Sequence, residues 1–203
     1  MNTVLDVMAA GFSHAEAIAA GAIQRLVGTG LTIPPGWLGS RRMRELLYRA
    51  SRDGWRAADF HRHCDNKSAT LTVVRCTDGF VFGGYTTQNW ETPHGYHSKE
   101  LNGEWLFVLK CKAGIGPKKM HGRPPSGLYP GTKGIYCSRD CGPCFGMRNT
   151  ANFDMLIGDK PNENATNTIH ADYSFVRPKH AGSKYVTGKY SFKAAEIEVY
   201  LIS

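Results

Sequence analysis

The sequence predicts a mainly β (α+β) fold, a two-sheet antiparallel β-sandwich flanked by short α-helices. Candidate strands recur at intervals of about 10–25 residues with few helices between them, which is typical of sandwiches. The 23 glycines and 10 prolines supply the many turns that such a fold needs. The hydrophobic content of 41% is enough for a sizeable core. Periodicity alone leaves a β-barrel open as an alternative.

The first elements predicted along the chain are a helix and a connector. Ser13 and Glu16 have the spacing of a capping box, in which the hydroxyl accepts a hydrogen bond from a free amide and the carboxylate reaches back. Apolar residues then fall on one face of a helix that is expected to run to Val27, and Gly28 offers a stop. Two prolines favour a connector over residues 32–38.

A strand and a short helix follow. Residues 43–51 alternate apolar and polar side chains, as a half-buried strand does. Asp-Gly at residues 53–54 marks a turn. Residues 55–64 fit a short helix, and we expect Ala58 and Phe60 near its buried side.

The clearest hairpin joins residues 71–76 to residues 80–86. The connecting Thr-Asp-Gly supplies the tolerance of positive φ that a tight turn between twisted strands requires. Gly83 and Gly84 lie inside the second strand, where glycine loses packing and backbone entropy. Such a pair predicts a bulge or a close approach of another group to the backbone.

Later segments complete the predicted sheets. We expect strands at residues 105–110, 134–138, 153–157 and 192–202. Residues 142–152 and the polar stretch 159–170 are expected to be loops. In the last strand Ile197 and its apolar neighbours alternate with Glu196 and Glu198, which predicts opposite faces for the two sets.

The formal net charge of +8 is compatible with nucleic acid, acidic lipid or an acidic protein face as a partner. The basic residues are spread, with small clusters at residues 41–44 and 118–123. No run reaches the five to eight cations of a typical nucleic-acid tail, so we expect no nucleic-acid partner. No apolar stretch approaches the ~18 residues of a membrane span, and the first ten residues lack the features of a secretory signal.

The cysteines are the residues that suggest chemistry. Cys137, Cys141 and Cys144 form C-x3-C-x2-C, but a zinc site needs four ligands and no second pair is suitably spaced. We therefore expect no metal and no cofactor. Cys141 and Cys144 remain redox candidates, because Arg139 and Arg148 are near in sequence and a nearby cation lowers a thiol pKa. The sequence HRHCD at residues 61–65 brings at most two ligands to one helical face, so we assign it to a packing or surface role.

Several spaced motifs resemble the TLDc domain of the oxidation-resistance proteins. The resemblance rests on LLYRASRDG, AADFHRHCD and TLTVVRCTDGFVFGGYT, on Trp90 and EWLFVLK, and on GPCFG, FDMLI and FKAAEIEVYLI. It covers residues 41–203 and leaves residues 1–40 as an N-terminal helix and connector. The loop 146–152 lacks the glycine-rich stretch usual in the family, and residues 114–130 carry extra glycine and proline.

The resemblance implies a sandwich without an established catalytic mechanism. It further implies a role in oxidative-stress resistance, with binding and regulation of the vacuolar proton-pumping ATPase. We therefore expect a non-catalytic interaction module in the cytoplasm that reaches endolysosomal membranes only through partners. The alternative is a thiol antioxidant or redox enzyme that uses Cys141 or Cys144. Gly83, Gly84 and Gly146 are expected to hold backbone positions that side chains would block.

Overall fold

The structure is a computed structural model, and it describes residues 24–26, 29–124, 132–147 and 152–203. Two six-stranded antiparallel sheets pack together within this part of the chain, which confirms the predicted sandwich. Neither of the two helices in the described ranges is long and apolar enough to cross a membrane. Most of the helix predicted from Ser13 onward lies outside the described residues.

The first sheet, sheet I, has the strand order β3-β14-β4-β5-β7-β8, and the second, sheet II, has the order β13-β12-β11-β10-β9-β6. Strands β1 and β2 precede both sheets in the sequence and form a separate two-stranded antiparallel sheet. The described strands are β1 (Gln24–Arg25), β2 (Thr32–Ile33), β3 (Met43–Arg49), β4 (Thr70–Cys76), β5 (Val81–Thr86), β6 (Tyr96–Glu100), β7 (Trp105–Lys110), β8 (Lys118–His121), β9 (Lys133–Ser138), β10 (Cys141–Phe145), β11 (Met155–Gly158), β12 (Asn167–Ile169), β13 (Ser191–Phe192) and β14 (Ala194–Ile202). The described helices are α1 (Ala50–Asp53) and α2 (Ala57–Cys64).

The predicted hairpin of β4 and β5 is confirmed, with Gly79 at φ +79 in its turn. Helix α2 is confirmed as well, although its buried side includes Ala57 and Phe60 while Ala58 is exposed. The predicted strand at residues 43–51 ends at Arg49, and Ala50 begins the single turn of α1.

Three predictions about local structure are wrong. Gln24 and Arg25 form β1, which pairs with β2, so the predicted helix does not extend to Val27 and the connector is partly strand. Residues 142–145, expected as loop, belong to β10, because Cys144 and Phe145 pair with both β9 and β11; the register between β10 and β11 shifts between Cys141 and Cys144. The polar stretch 159–170 contains β12, where the fully buried Asn167 donates to the carbonyls of Pro161 and Phe192.

The sandwich has two apolar layers, one on each face of sheet I. The inner core lies between the sheets and includes Phe82, Leu106 and Phe145. The outer core covers the opposite face of sheet I, where Leu26 and Ile33 pack with the side chains of Trp105, Phe107 and other strand residues. The central strands of sheet I are therefore buried on both faces, which explains why β4, β5 and β7 lack a clean alternation of apolar and polar residues.

Candidate functional site

The glycine pair of β5 determines how closely other groups approach sheet I. Gly84 faces the inner core, where a Cβ would lie 2.8 Å from the ring of Phe145. Gly83 faces the outer core, where a Cβ would lie 2.7 Å from Phe107 and would overlap the carbonyl of Thr72. The register between β4 and β5 has no shift at this point. The pair thus marks a close approach rather than a bulge in this hairpin, and any side chain would push its neighbours away.

Gly146 adopts the left-handed conformation after β10, with φ +63, and a Cβ there would overlap the carboxylate of Asp154. The buried Asp154 accepts hydrogen bonds from the amides of Asp172, Tyr173 and Ser174 at 2.6–2.7 Å. Burial raises the pKa of Asp154 to about 6, although the three amides favour its charged form. The carboxylate is therefore used to hold the loop at residues 172–174.

Trp90 packs against Phe145, the residue that contacts Gly84 and directly precedes Gly146. It is completely buried, its indole N–H donates to Thr70 at 2.9 Å, and its ring meets Phe60 and Phe145 edge to face at 5.3 and 5.5 Å. Such aromatic pairs contribute about 0.5–1.5 kcal/mol each beyond burial. The motif segments therefore meet in one packed region, which we call the motif core and define by Gly84, Trp90, Phe145, Gly146 and Asp154.

Cys141 and Cys144 lie side by side in β10, with their sulfur atoms 3.1 Å apart. All six thiols are free and buried, and Cys144 is fully enclosed. Burial raises the pKa of Cys144 and raises that of Cys137 to about 12, so both favour the protonated thiol. The structure thus brings the two redox candidates together in a buried position, and the pKa of Cys144 is raised, whereas a reactive thiolate needs a lowered pKa. Their redox role stays a prediction.

His61 joins α2 to the β9–β10 hairpin. Its Nε2 lies 2.9 Å from the carbonyl of Ser138 and 3.0 Å from that of Cys141, and its Nδ1 lies 2.7 Å from Asp65. Because carbonyl oxygens only accept hydrogen bonds, Nε2 carries the proton. Within the described ranges, no group of three or more His, Cys, Asp or Glu side chains is arranged to hold a metal ion.

The last strand buries two carboxylates that the sequence pattern placed on the opposite face from the apolar residues. Glu196 accepts hydrogen bonds from the amide and hydroxyl of Ser51 and from Arg49. Burial raises the pKa of Glu196, but these hydrogen bonds outweigh it and the pKa is lowered overall. Glu198 accepts from the Tyr200 hydroxyl at 2.7 Å. Both glutamates have structural partners, and this strand is buried on both faces.

A different kind of site lies on the surface beside β8. A cleft of about 970 Å³ lies between β8 and residues 176–182, and a second cleft of about 520 Å³ lies beside Trp37. Lys119 and His121 line both clefts. We call these two clefts together the basic groove. The cluster at residues 118–123 was visible in the sequence, but its proximity to the basic residues at 177–180 was not.

Comparison with known families gives one result. A family model for the TLDc domain matches residues 34–203, which is most of the chain and begins slightly before the predicted boundary at residue 41. The comparison with curated proteins finds no match.

Proposed function

Because the chain belongs to the TLDc domain family, an oxidation-resistance type of domain, we propose that it is a non-catalytic module that binds and regulates the vacuolar proton-pumping ATPase. The observation that carries this proposal is that the polar side chains in and beside the motif core form their hydrogen bonds with other residues of the same chain. Asp154, His61 and Glu196 are each engaged by several hydrogen-bond partners of the fold itself. Groups used in this way hold a shape and are not arranged to act on a substrate.

The proposed role requires a protein in the cytoplasm that reaches endolysosomal membranes through the pump. A direct test measures capture of purified pump subunits by the full chain immobilised on a support, together with ATP hydrolysis by the assembled pump in its presence. We expect saturable capture and a change in hydrolysis. An absence of both at micromolar protein would contradict the proposal.

A second candidate function is a thiol antioxidant, favoured by the close approach of Cys141 and Cys144. In that reaction the O–O bond of a hydroperoxide breaks as it accepts two electrons, and the two thiols lose their two protons and form a disulfide. The products are one water and one alcohol, or two waters when the oxidant is hydrogen peroxide. Cys141→Ala/Cys144→Ala separates the two functions, because it removes both sulfurs while keeping small apolar side chains. Unchanged pump binding and stress resistance in this variant would exclude the thiol function, whereas loss of resistance with retained binding would establish it.

A further inference from the structure

The basic groove is a surface feature to which the proposed function assigns no role. It comprises the cleft of about 970 Å³ beside β8, which we call the long cleft, and the cleft of about 520 Å³ beside Trp37. None of the described residues that line either cleft is Asp or Glu. An extended depression lined by charges of one sign attracts ligands of the opposite sign and raises their association rate.

Two cations of the groove already have partners and fix its walls. Lys119 donates to the carbonyl of Trp37 at 2.9 Å and lies 4.1 Å from the ring centre of Trp105. Arg177 pairs with Asp172 at 2.7 Å. These contacts hold β8 and the segment at residues 176–182 in place without filling the space between them.

Two exposed lysines and one exposed histidine also line the long cleft. Lys118, Lys179 and His180 form no ion pair or side-chain hydrogen bond with any residue in the described ranges. One other exposed lysine, Lys189, pairs with a carboxylate, that of Asp78 at 3.1 Å. The long cleft therefore offers positive charge that the described fold does not neutralise.

Apolar side chains also line the long cleft. Val176 is 45% exposed, which makes it one of only three large apolar side chains that the described chain leaves exposed. Ile115 and Pro178 line the same cleft. A ligand that complements this lining carries negative charge for the two lysines together with at least one apolar group for Val176, Ile115 and Pro178.

We propose that the basic groove binds an extended acidic segment of a partner protein. Its carboxylates face Lys118, Lys179 and His180, and an apolar side chain covers Val176. The inference rests on the proposed function in taking the partner to be a protein, and it adds the surface and the chemistry of recognition. Charge complementarity of this kind gives specificity and a fast, salt-sensitive association.

Two other anionic partners fit this surface less well. Single-stranded nucleic acid needs free aromatic faces for stacking, but Tyr85 and Trp105 stack on each other at 5.2 Å and Trp37 covers Trp105 edge to face. A membrane surface is bound by apolar groups that protrude into it, whereas Val176 lines a concave cleft.

The test uses the full chain and a fluorescein-labelled peptide of alternating glutamate and leucine, measured by fluorescence anisotropy. Lys118→Glu/Lys179→Glu reverses two charges of the groove. Lys67→Glu/Lys193→Glu is the matched control, because these exposed lysines line neither described cleft and the change in net charge is the same. We expect wild type and control to bind, and the groove variant to bind at least about tenfold more weakly.

The same peptide with glutamine in place of glutamate, a single-stranded oligonucleotide and vesicles with anionic lipid are measured in parallel. Absent binding of the acidic peptide, or equal loss in the groove and control variants, would overturn the inference. If the glutamine peptide bound as tightly as the glutamate peptide, binding would not require carboxylates, and the inference of an acidic segment would be overturned. Stronger groove-dependent binding of the oligonucleotide or the vesicles would assign the groove to that ligand instead.

Pump capture by the same variants separates this inference from the proposed function. Retained capture by the groove variant would overturn the groove as the docking surface while leaving pump binding intact. Groove-dependent peptide binding without pump capture by wild type would support the groove and contradict the pump as the partner.

Discussion

The motif core and the basic groove use polar residues in opposite ways. In the motif core, Asp154 is fully buried and three backbone amides of the same chain satisfy its carboxylate. In the groove, the exposed Lys118 and Lys179 have no partner among the described residues. The motif core thus maintains the fold, whereas the cleft between β8 and residues 176–182 is built from residues outside the segments that carry the family resemblance.

The comparison predicts that core substitutions change stability and that groove substitutions change binding alone. The predictions below follow the expected effect on the free energy of unfolding, from the largest to the smallest.

Gly84→Val gives the largest expected effect. The new side chain would meet the Phe145 ring, where even a Cβ lies at 2.8 Å, and overpacking of this kind costs about 3 kcal/mol. We expect a lower urea midpoint and weaker partner binding together. Gly116→Val is the matched control, since a Cβ at Gly116 meets nothing within 4 Å. A Gly84→Val protein that melts like wild type yet fails to bind would contradict the coupling.

Asp154→Ala is expected to destabilise the protein by about 2–3 kcal/mol, because it leaves three amides without their acceptor. Chemical denaturation measures the loss. Glu163→Ala, which removes an exposed carboxylate paired with Lys160 at 3.7 Å, should change stability by less than about 0.5 kcal/mol. Similar losses in the two variants would show that the amide contacts to Asp154 contribute little.

The pH dependence of Asp154 sharpens the same prediction. Because burial raises its folded pKa to about 6, the unfolded chain releases this proton first as pH rises above about 4. The contribution of Asp154 to stability therefore falls between about pH 4 and pH 6 and then stays constant. Asp154→Asn should remove this component, as measured by urea midpoints across that range. An identical pH profile in both proteins would refute the assignment.

Glu196 should show the opposite sign. Its folded pKa is lowered, since hydrogen bonds from Ser51 and Arg49 outweigh burial. Its contribution is therefore present above the unfolded pKa and is lost as pH falls through the folded pKa. We expect Glu196→Gln to reduce the acid sensitivity of the midpoint below about pH 4.5 while lowering stability at neutral pH. Greater acid sensitivity in the variant would reverse the assigned sign.

Lys118→Glu/Lys179→Glu should have the smallest effect on folding. Both side chains are exposed and unpaired within the described structure, so we expect stability to change by less than about 0.5 kcal/mol. Thermal denaturation checks this expectation beside the peptide measurement. A loss as large as that of Gly84→Val would mean that the groove charges support the fold.

Sequence patterns predicted the sandwich and most central strands well. The β4–β5 hairpin was identifiable because its turn chemistry and strand composition are local properties. The edge strands β6 and β8 were missed, since charged residues occupy much of both and exposed edges carry little apolar pattern. β10 was assigned to a loop, although Cys144 and Phe145 pair with both β9 and β11. Gly142 and Pro143, which are unfavourable in strands, lie where the register between β10 and β11 shifts.

The candidate site was predictable only in part. Gly146 and the aspartate-led strand were recognisable as motifs, but the three amides that bind Asp154 come from residues about twenty positions later. Cys141 and Cys144 were identified as redox candidates from the sequence, but their burial and the 3.1 Å distance between their sulfur atoms were not predicted. The basic groove was invisible, because its two walls lie more than fifty residues apart in the chain.

By itself, the sequence determined the fold class, the main hairpin and the family of this protein, because turn residues, strand periodicity and spaced motifs are read along the chain. Tertiary structure alone decided that Gly84 meets Phe145, that Glu196 is buried and that Lys118 lies near Lys179. The physical reason is that burial and electrostatic environment depend on contacts between distant segments, which form only when the two sheets pack.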